Sequence, residues 1–166
     1  MSAQEPEGSG PIFAALVAEL VAAEDKRRES LEARGAGVIT TSGALVTLLL
    51  ALAALVTREQ TFTLPDAARD SLSLAVAAFV LAALLAIATS APQRARVTEP
   101  AELAELLPAL WDRSPDYALK KATATRLEQL ETTQTANDRK AFALLAAVAA
   151  QVVAVMLLAW AVIRVL

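Results

Sequence analysis

Apolar residues fall along this chain in three unbroken stretches, set apart by densely polar ones. Residues 35–57, 71–93 and 141–163 each run for 23 positions without a charged side chain. About 20 predominantly apolar residues carry a helix across a bilayer. The first stretch is diluted at its start by Gly35, Gly37, Thr40, Thr41, Ser42 and Gly43, and is strongest across 45–56; the others are rich in Ala, Leu and Val throughout. The pattern predicts an all-α protein with three transmembrane helices, a hairpin over 35–93 followed by a third span over 141–166.

The polar stretches read as helical too. Residues 1–34 open with a disordered start and continue as an amphipathic helix, with Pro11 in a permissive first turn and Phe13, Leu16, Val17, Leu20, Ala23 and Leu31 recurring at helical spacing. Glu24 and Arg28 stand four apart, a modest support for an exposed helix. Nothing breaks the chain before Gly35, so the helix is expected to run into the first span, either as a projecting stalk or lying on the membrane. Residues 94–140 hold two further pieces. One, over 100–111, aligns Leu103, Leu106, Leu107, Leu110 and Trp111 and is bent or shortened by Pro108. The other starts at Ser114-Pro115-Asp116, an N-cap hydroxyl followed by proline and early negative charge.

From Asp116 to Leu166 there is neither Gly nor Pro. The second piece therefore predicts a helix of about 50 residues, about 75 Å at 1.5 Å per residue, continuous with the third span. Leu119, Thr123, Leu127, Leu130, Gln134, Asn137 and Ala141 suggest a coiled-coil seam, turning polar toward the bilayer, that packs on the N-terminal helix or a sister subunit.

Composition supports lipid as the solvent. The 166 residues are 56% hydrophobic and 20% charged, with mean hydropathy +0.48, whereas a soluble domain is about half apolar and about a quarter charged. Met1 to Ser9 carries Glu5 and Glu7 and no basic residue, unlike a secretory leader, so the first span is expected to act as an uncleaved anchor. Lys and Arg number four in 1–34, two in 58–70, eight in 94–140 and one after Ile163. The positive-inside bias then places the N-terminus in the cytoplasm and the C-terminus outside. Arg34, Arg94, Arg96, Arg139 and Lys140 flank the spans on the inner side as anchors for anionic headgroups, and Trp160 suits the outer boundary.

Charge and residue types narrow the chemistry. With no Cys and no His, thiolate metal sites and imidazole catalysis are closed to a single chain. A formal charge of −3 gives no general attraction for nucleic acid. The spans contain no ionisable side chain, against proton relays and voltage sensing, and no phosphate loop of the GxxxxGK[ST] kind occurs. Glu99, Glu102, Glu105, Glu128 and Glu131 follow helix-surface spacing and read as a solvated face. The expectation is a non-enzyme without cofactor or metal.

Small residues lie in rows four apart: Gly43, Thr47 and Ala51; Ala78, Ala82, Ala86 and Ser90; Ala146, Ala150 and Ala154. Such rows let helices approach closely in lipid. Gln151 is the strongly polar side chain deep in the third span and calls for an interhelical partner or a wet lumen. Three closely packed helices leave no water path between them, so a pore would have to be oligomeric, lined by Thr40, Thr41, Ser42, Thr47 and Gln151.

The stretch from Arg34 through Gly43 entering an Ala/Leu-rich span, and Asn137-Asp138-Arg139-Lys140-Ala141 entering the last, resemble small uncharacterised membrane proteins of actinobacteria. More loosely, helical cytoplasmic segments feeding a few spans are similar to the SLATT and Pycsar-type membrane effectors of bacterial antiviral defence. That resemblance implies oligomerisation and membrane disruption after a nucleotide signal, though no nucleotide-binding motif is visible here. Two functions stand: an inner-membrane effector or pore former controlled through its cytoplasmic helices, or a passive scaffold or accessory subunit docking a cytoplasmic or membrane partner. Both imply the bilayer as partner, with a homo-oligomer or a second membrane protein beside it.

Overall fold

In the computed structural model, described for residues 9–58, 65–91, 108 and 113–165, the chain is all-α, with no strand among the described residues. Helix α1 covers Gly10–Arg58, α2 Asp66–Ser90 and α3 Pro115–Val165, with 49, 25 and 51 residues. All three are long and apolar enough to cross a membrane, which makes this the architecture of a multi-pass membrane protein. The helix expected over 100–111 lies outside the described residues apart from Pro108, which is helical and exposed.

Each boundary has a local cause. Helix α1 has no proline after Pro11, so no backbone N–H is lost along it, and its internal glycines keep negative φ. Helix α3 starts where the sequence places its cap: Ser114 Oγ accepts from the Tyr117 N–H at 3.4 Å, and Pro115 and Asp116 fill the first turn. Helix α2 begins at Asp66, five residues before the charge-free stretch, because Pro65 fixes the entry and its carbonyl accepts from the Ala68 N–H at 2.9 Å. It stops at Ser90 because Ala91 precedes Pro92, which disfavours the α conformation; Ala91 is extended at ψ 132°.

The chain divides into two units, one formed by Met1–Arg28 with Gln93–Asp138, the other by Glu29–Pro92 with Arg139–Leu166. In the first, the starts of α1 and α3 run parallel. A side-chain carbon at Gly10 would meet Leu119 Cδ2 at 3.4 Å, and further along Glu24 meets Asn137 and Arg27 meets Asp138. In the second, α1 and α3 are again parallel and α2 is antiparallel to both. One apolar cluster joins Leu31 and Val38 of α1, Ala82 and Ala86 of α2, and Leu144 and Ala147 of α3. The next joins Leu49, Phe79 and Ala154.

Inward positions keep a seven-residue rhythm on every helix. On α2 they are Ala68, Leu72, Ala75, Phe79, Ala82, Ala86 and Thr89, in steps of four and three. On α3 they are Leu130, Thr133 and Asn137 in the first unit, then Lys140, Leu144, Ala147, Gln151, Ala154, Leu158 and Ala161 in the second. On α1 they are Ala14, Val17, Val21 and Glu24, then Leu31, Gly35, Val38, Ser42, Leu45 and Leu49. A 3.5-residue repeat keeps one seam facing its partners, the geometry of left-handed helix packing.

This rhythm corrects several expectations. A row of residues four apart drifts around the helix by about 40° per step and leaves a 3.5-residue seam. Gly43, Thr47 and Ala51 are accordingly outside, and Ser90 is exposed while Ala82 and Ala86 are buried. On α3, Gln134 and Leu127 are exposed, and the inward positions are Thr133 and Lys140 instead of Gln134 and Ala141. On α1 the amphipathic face is not the buried one. Phe13, Leu16 and Leu20 are exposed, and only Val17 and Leu31 of that set are buried.

The outer faces of the second unit carry Leu48, Leu50, Leu81, Leu84, Ile87, Leu145, Val152 and Met156, all exposed on the chain. An apolar sleeve of this kind suits acyl chains and would be costly in water.

Candidate functional site

The chemistry concentrated in this fold is a set of polar side chains on the α1 and α3 seams. In the first unit Asn137, 1% exposed, donates from Nδ2 to the Glu24 backbone carbonyl at 3.1 Å and to Glu24 Oε1 at 2.9 Å. Glu24 is buried as well, and its Oε1 also accepts from Arg27 Nη1 at 3.1 Å. Arg27 reaches across to Asp138 Oδ1 at 2.8 Å through Nη2. Its guanidinium is raised above its ordinary range, first by the Asp138 hydrogen bond, with partial desolvation opposing and Glu24 adding to the rise. Arg27 is therefore a fixed cation bridging two carboxylates on different helices.

Bonding to a backbone carbonyl and a carboxylate together ties Asn137 to one turn of α1. A polar side chain at a seam position specifies register at a cost in stability. Asn137→Ala is expected to lower stability by about 1–3 kcal/mol, because buried Glu24 loses a donor. Asn137→Asp should be worse at neutral pH, since it replaces a donor by a second carboxylate set against Glu24. That penalty is present above the ordinary carboxylate range and fades as pH falls through it. Thermal melts of both variants at pH 7 and pH 4 test this: the idea fails if the Asp variant does not gain on the Ala variant in acid.

In the second unit, Lys140 lies on the seam with its side chain 1% exposed, and Nζ donates to Glu32 Oε1 at 2.7 Å. The sequence places Lys140 at the membrane surface as a headgroup anchor; the structure turns it inward, where Glu32, at the edge of the α1 seam, supplies a carboxylate. Arg34 and Arg139 are exposed, as an anchor requires, while Arg94 and Arg96 lie outside the described residues.

The five polar residues considered for a pore lining separate into two groups. Thr40, Thr41 and Thr47 are exposed and donate to the carbonyls of Ala36, Gly37 and Gly43, four residues back, at 2.9–3.0 Å. Their hydroxyls are satisfied within their own helix. Ser42 and Gln151 stand on the inward seams of α1 and α3, Ser42 fully buried and Gln151 half-buried. Ser42 Oγ has no hydrogen-bond partner. Among the described residues no group of three or more acidic side chains could hold a metal.

Sequence reasoning found Asn137, Ser42 and Gln151 but missed the partners Glu24, Arg27, Asp138 and Glu32. The expected Glu24–Arg28 contact is replaced by Glu24–Arg27, three apart, with Arg27 shared by Asp138. A usable signal existed: Glu24 continues the Ala14, Val17, Val21 spacing, and a charge in phase with an apolar seam demands a partner on the facing helix. In comparisons with known proteins, no family model, no curated protein and no solved structure matches this chain.

Proposed function

We propose that this is a bacterial inner-membrane protein, N-terminus inside and C-terminus outside, acting as an oligomeric membrane effector or pore former governed by its cytoplasmic α1–α3 pair. The observation that carries the reading is the seam of the first unit. Where large apolar residues would close it tightly, it holds Glu24, Thr133 and Asn137, with buried apolar side chains at Val17 and Leu130. Buried polar and ionic contacts fix an arrangement while adding little net stability. A ligand with a few kcal/mol of preference for another arrangement is then sufficient to shift it. The orientation rests on the excess of Lys and Arg in 1–34 and 94–140, and the absence of ionisable groups in the apolar stretches favours an assembly over an ion-coupled carrier.

A second reading, a scaffold that docks a partner, is favoured by Ile12, Phe13, Leu16 and Leu20, which leave one face of α1 exposed. Inducible expression separates the two. The effector reading expects potassium leakage and membrane depolarisation, raised at least about threefold by Asn137→Ala, which loosens the seam. Cells that keep their potential with both chains sink it. A partner that copurifies with the wild type and is lost with Leu16→Glu in such cells supports the scaffold.

A further inference from the structure

The two apolar clusters of the membrane-spanning unit leave a layer between them. On α1 the first cluster ends at Val38 and Ile39, and the second begins at Leu45 and Val46. Between them on the inward seam is Ser42. On α3 the first cluster ends at Ala150 and the second begins at Ala154, and between them on the inward seam is Gln151. On α2 the same interval runs from Ala82 to Phe79 and contains only Val80 and Leu81, both exposed. Ser42 and Gln151 thus share one layer deep in the spans, with no third polar side chain from α2.

The hydrogen-bond demand of this layer exceeds what one chain supplies. Ser42 Oγ is buried and unpartnered, and the Gln151 carboxamide makes no hydrogen bond among the described residues. A primary amide offers two donors and two acceptor positions, and a serine hydroxyl meets at most one donor and one acceptor. Thr41 and Thr47, the neighbouring hydroxyls of α1, are held by their own helix. Lipid offers the remainder nothing, and Gln151 is not fully enclosed.

We infer that the Gln151 carboxamide is the contact through which a second copy of this chain is recognised within the membrane. A carboxamide is self-complementary: each N–H donates to the other's carbonyl, so two copies related by a twofold axis satisfy both with the same residue. Ser42 Oγ then donates to or accepts from the same amide and fixes its rotamer. The inference deepens the oligomeric reading proposed above, on which it rests, by naming the residue and the symmetry of the contact.

The chain has no cysteine, so single cysteines report contact cleanly. Val148 and Val155 lie three before and four after Gln151 on its side of α3, and Val153, two after it, on the opposite side; all three are exposed. The full-length chain is expressed in membranes and oxidised at each position. Val148→Cys and Val155→Cys are expected to give dimers at least about tenfold more efficiently than Val153→Cys, and Gln151→Leu to abolish that difference. Gln151→Asn should retain part of it, and Ser42→Ala should leave it within about twofold. Because Gln151→Leu is no less apolar than the wild type, its insertion is checked by membrane extraction. Equal cross-linking at Val153→Cys, or cross-linking undiminished by Gln151→Leu, overturns the inference, as does a failure of Val148→Cys and Val155→Cys to cross-link in the otherwise unchanged chain. Depolarisation is read in the same cells: dimers without leakage sink the effector reading alone, and leakage with Gln151-independent dimers sinks this inference alone.

Discussion

Glu32→Gln is expected to lower the unfolding free energy in detergent by about 2–4 kcal/mol, among the largest effects of a single surface-accessible change in this protein. The Lys140 ammonium is sealed in the seam, and Glu32 Oε1 at 2.7 Å is the anion facing it. Removing the charge from Glu32 leaves a cation with no water to return to. The converse change is mild, because Glu32 is 35% exposed and rehydrates when its partner is lost. Lys140→Met should therefore cost under about 1 kcal/mol, or stabilise, since an apolar chain of similar length suits a seam that continues into Leu144 and Ala147. In the double variant the Glu32→Gln penalty should largely vanish. Denaturant titration in micelles of the four chains gives the coupling directly. Additive penalties, or Lys140→Met as damaging as Glu32→Gln, would show that the pair is not the reason Lys140 is buried.

How far the fold was legible follows from the same residues. Three spans, the continuous α1 and the capped, unbroken α3 could be read because each depends on local facts: long charge-free runs, the absence of proline, and Ser114-Pro115-Asp116. The seams were harder, because a seam is a relation between helices. Lys140 and Glu24 look like surface residues until the facing helix supplies Glu32 or Asn137. Phe13, Leu16 and Leu20 look like a core face, yet they are exposed, since α3 packs along the Val17 and Val21 side of α1. In a chain so rich in Ala, a row spaced by four and a row spaced by three and four are equally easy to find. Only the burial pattern shows that the 3.5-residue rhythm decides. The polar layer fared better: Gln151 stood out in an apolar run, and Ser42 became distinct from Thr40, Thr41 and Thr47 once those three closed onto their own backbone.

Gly35→Ala carries the other large expected effect, a loss of about 1–3 kcal/mol from overpacking. Gly35 is buried where α1 crosses α2, and a methyl group there would collide with Thr89 Oγ1 and press on the Ala86 carbonyl at 3.3 Å. The hydroxyl does not swing away freely, because it donates to that same carbonyl at 2.7 Å and Thr89 is itself buried. Either the Thr89 bond breaks or the helices separate, and separation loosens the apolar cluster of Val38, Ala82 and Ala86 alongside. Gly37 and Gly43 are internal controls on the same helix, since a methyl group at either meets nothing within 4 Å. Gly37→Ala and Gly43→Ala should be neutral or stabilising by up to about 1 kcal/mol through helix propensity. Thr89→Ala added to Gly35→Ala should restore much of the loss, because the colliding oxygen is gone and what remains are two contacts of 3.3 Å, to the Ala86 carbonyl and to the Cβ of residue 89. Melting the five chains in one detergent, followed by helical circular dichroism, tests the geometry. A Gly35→Ala chain as stable as Gly43→Ala would mean that α1 and α2 do not approach at Gly35 as closely as the structure places them.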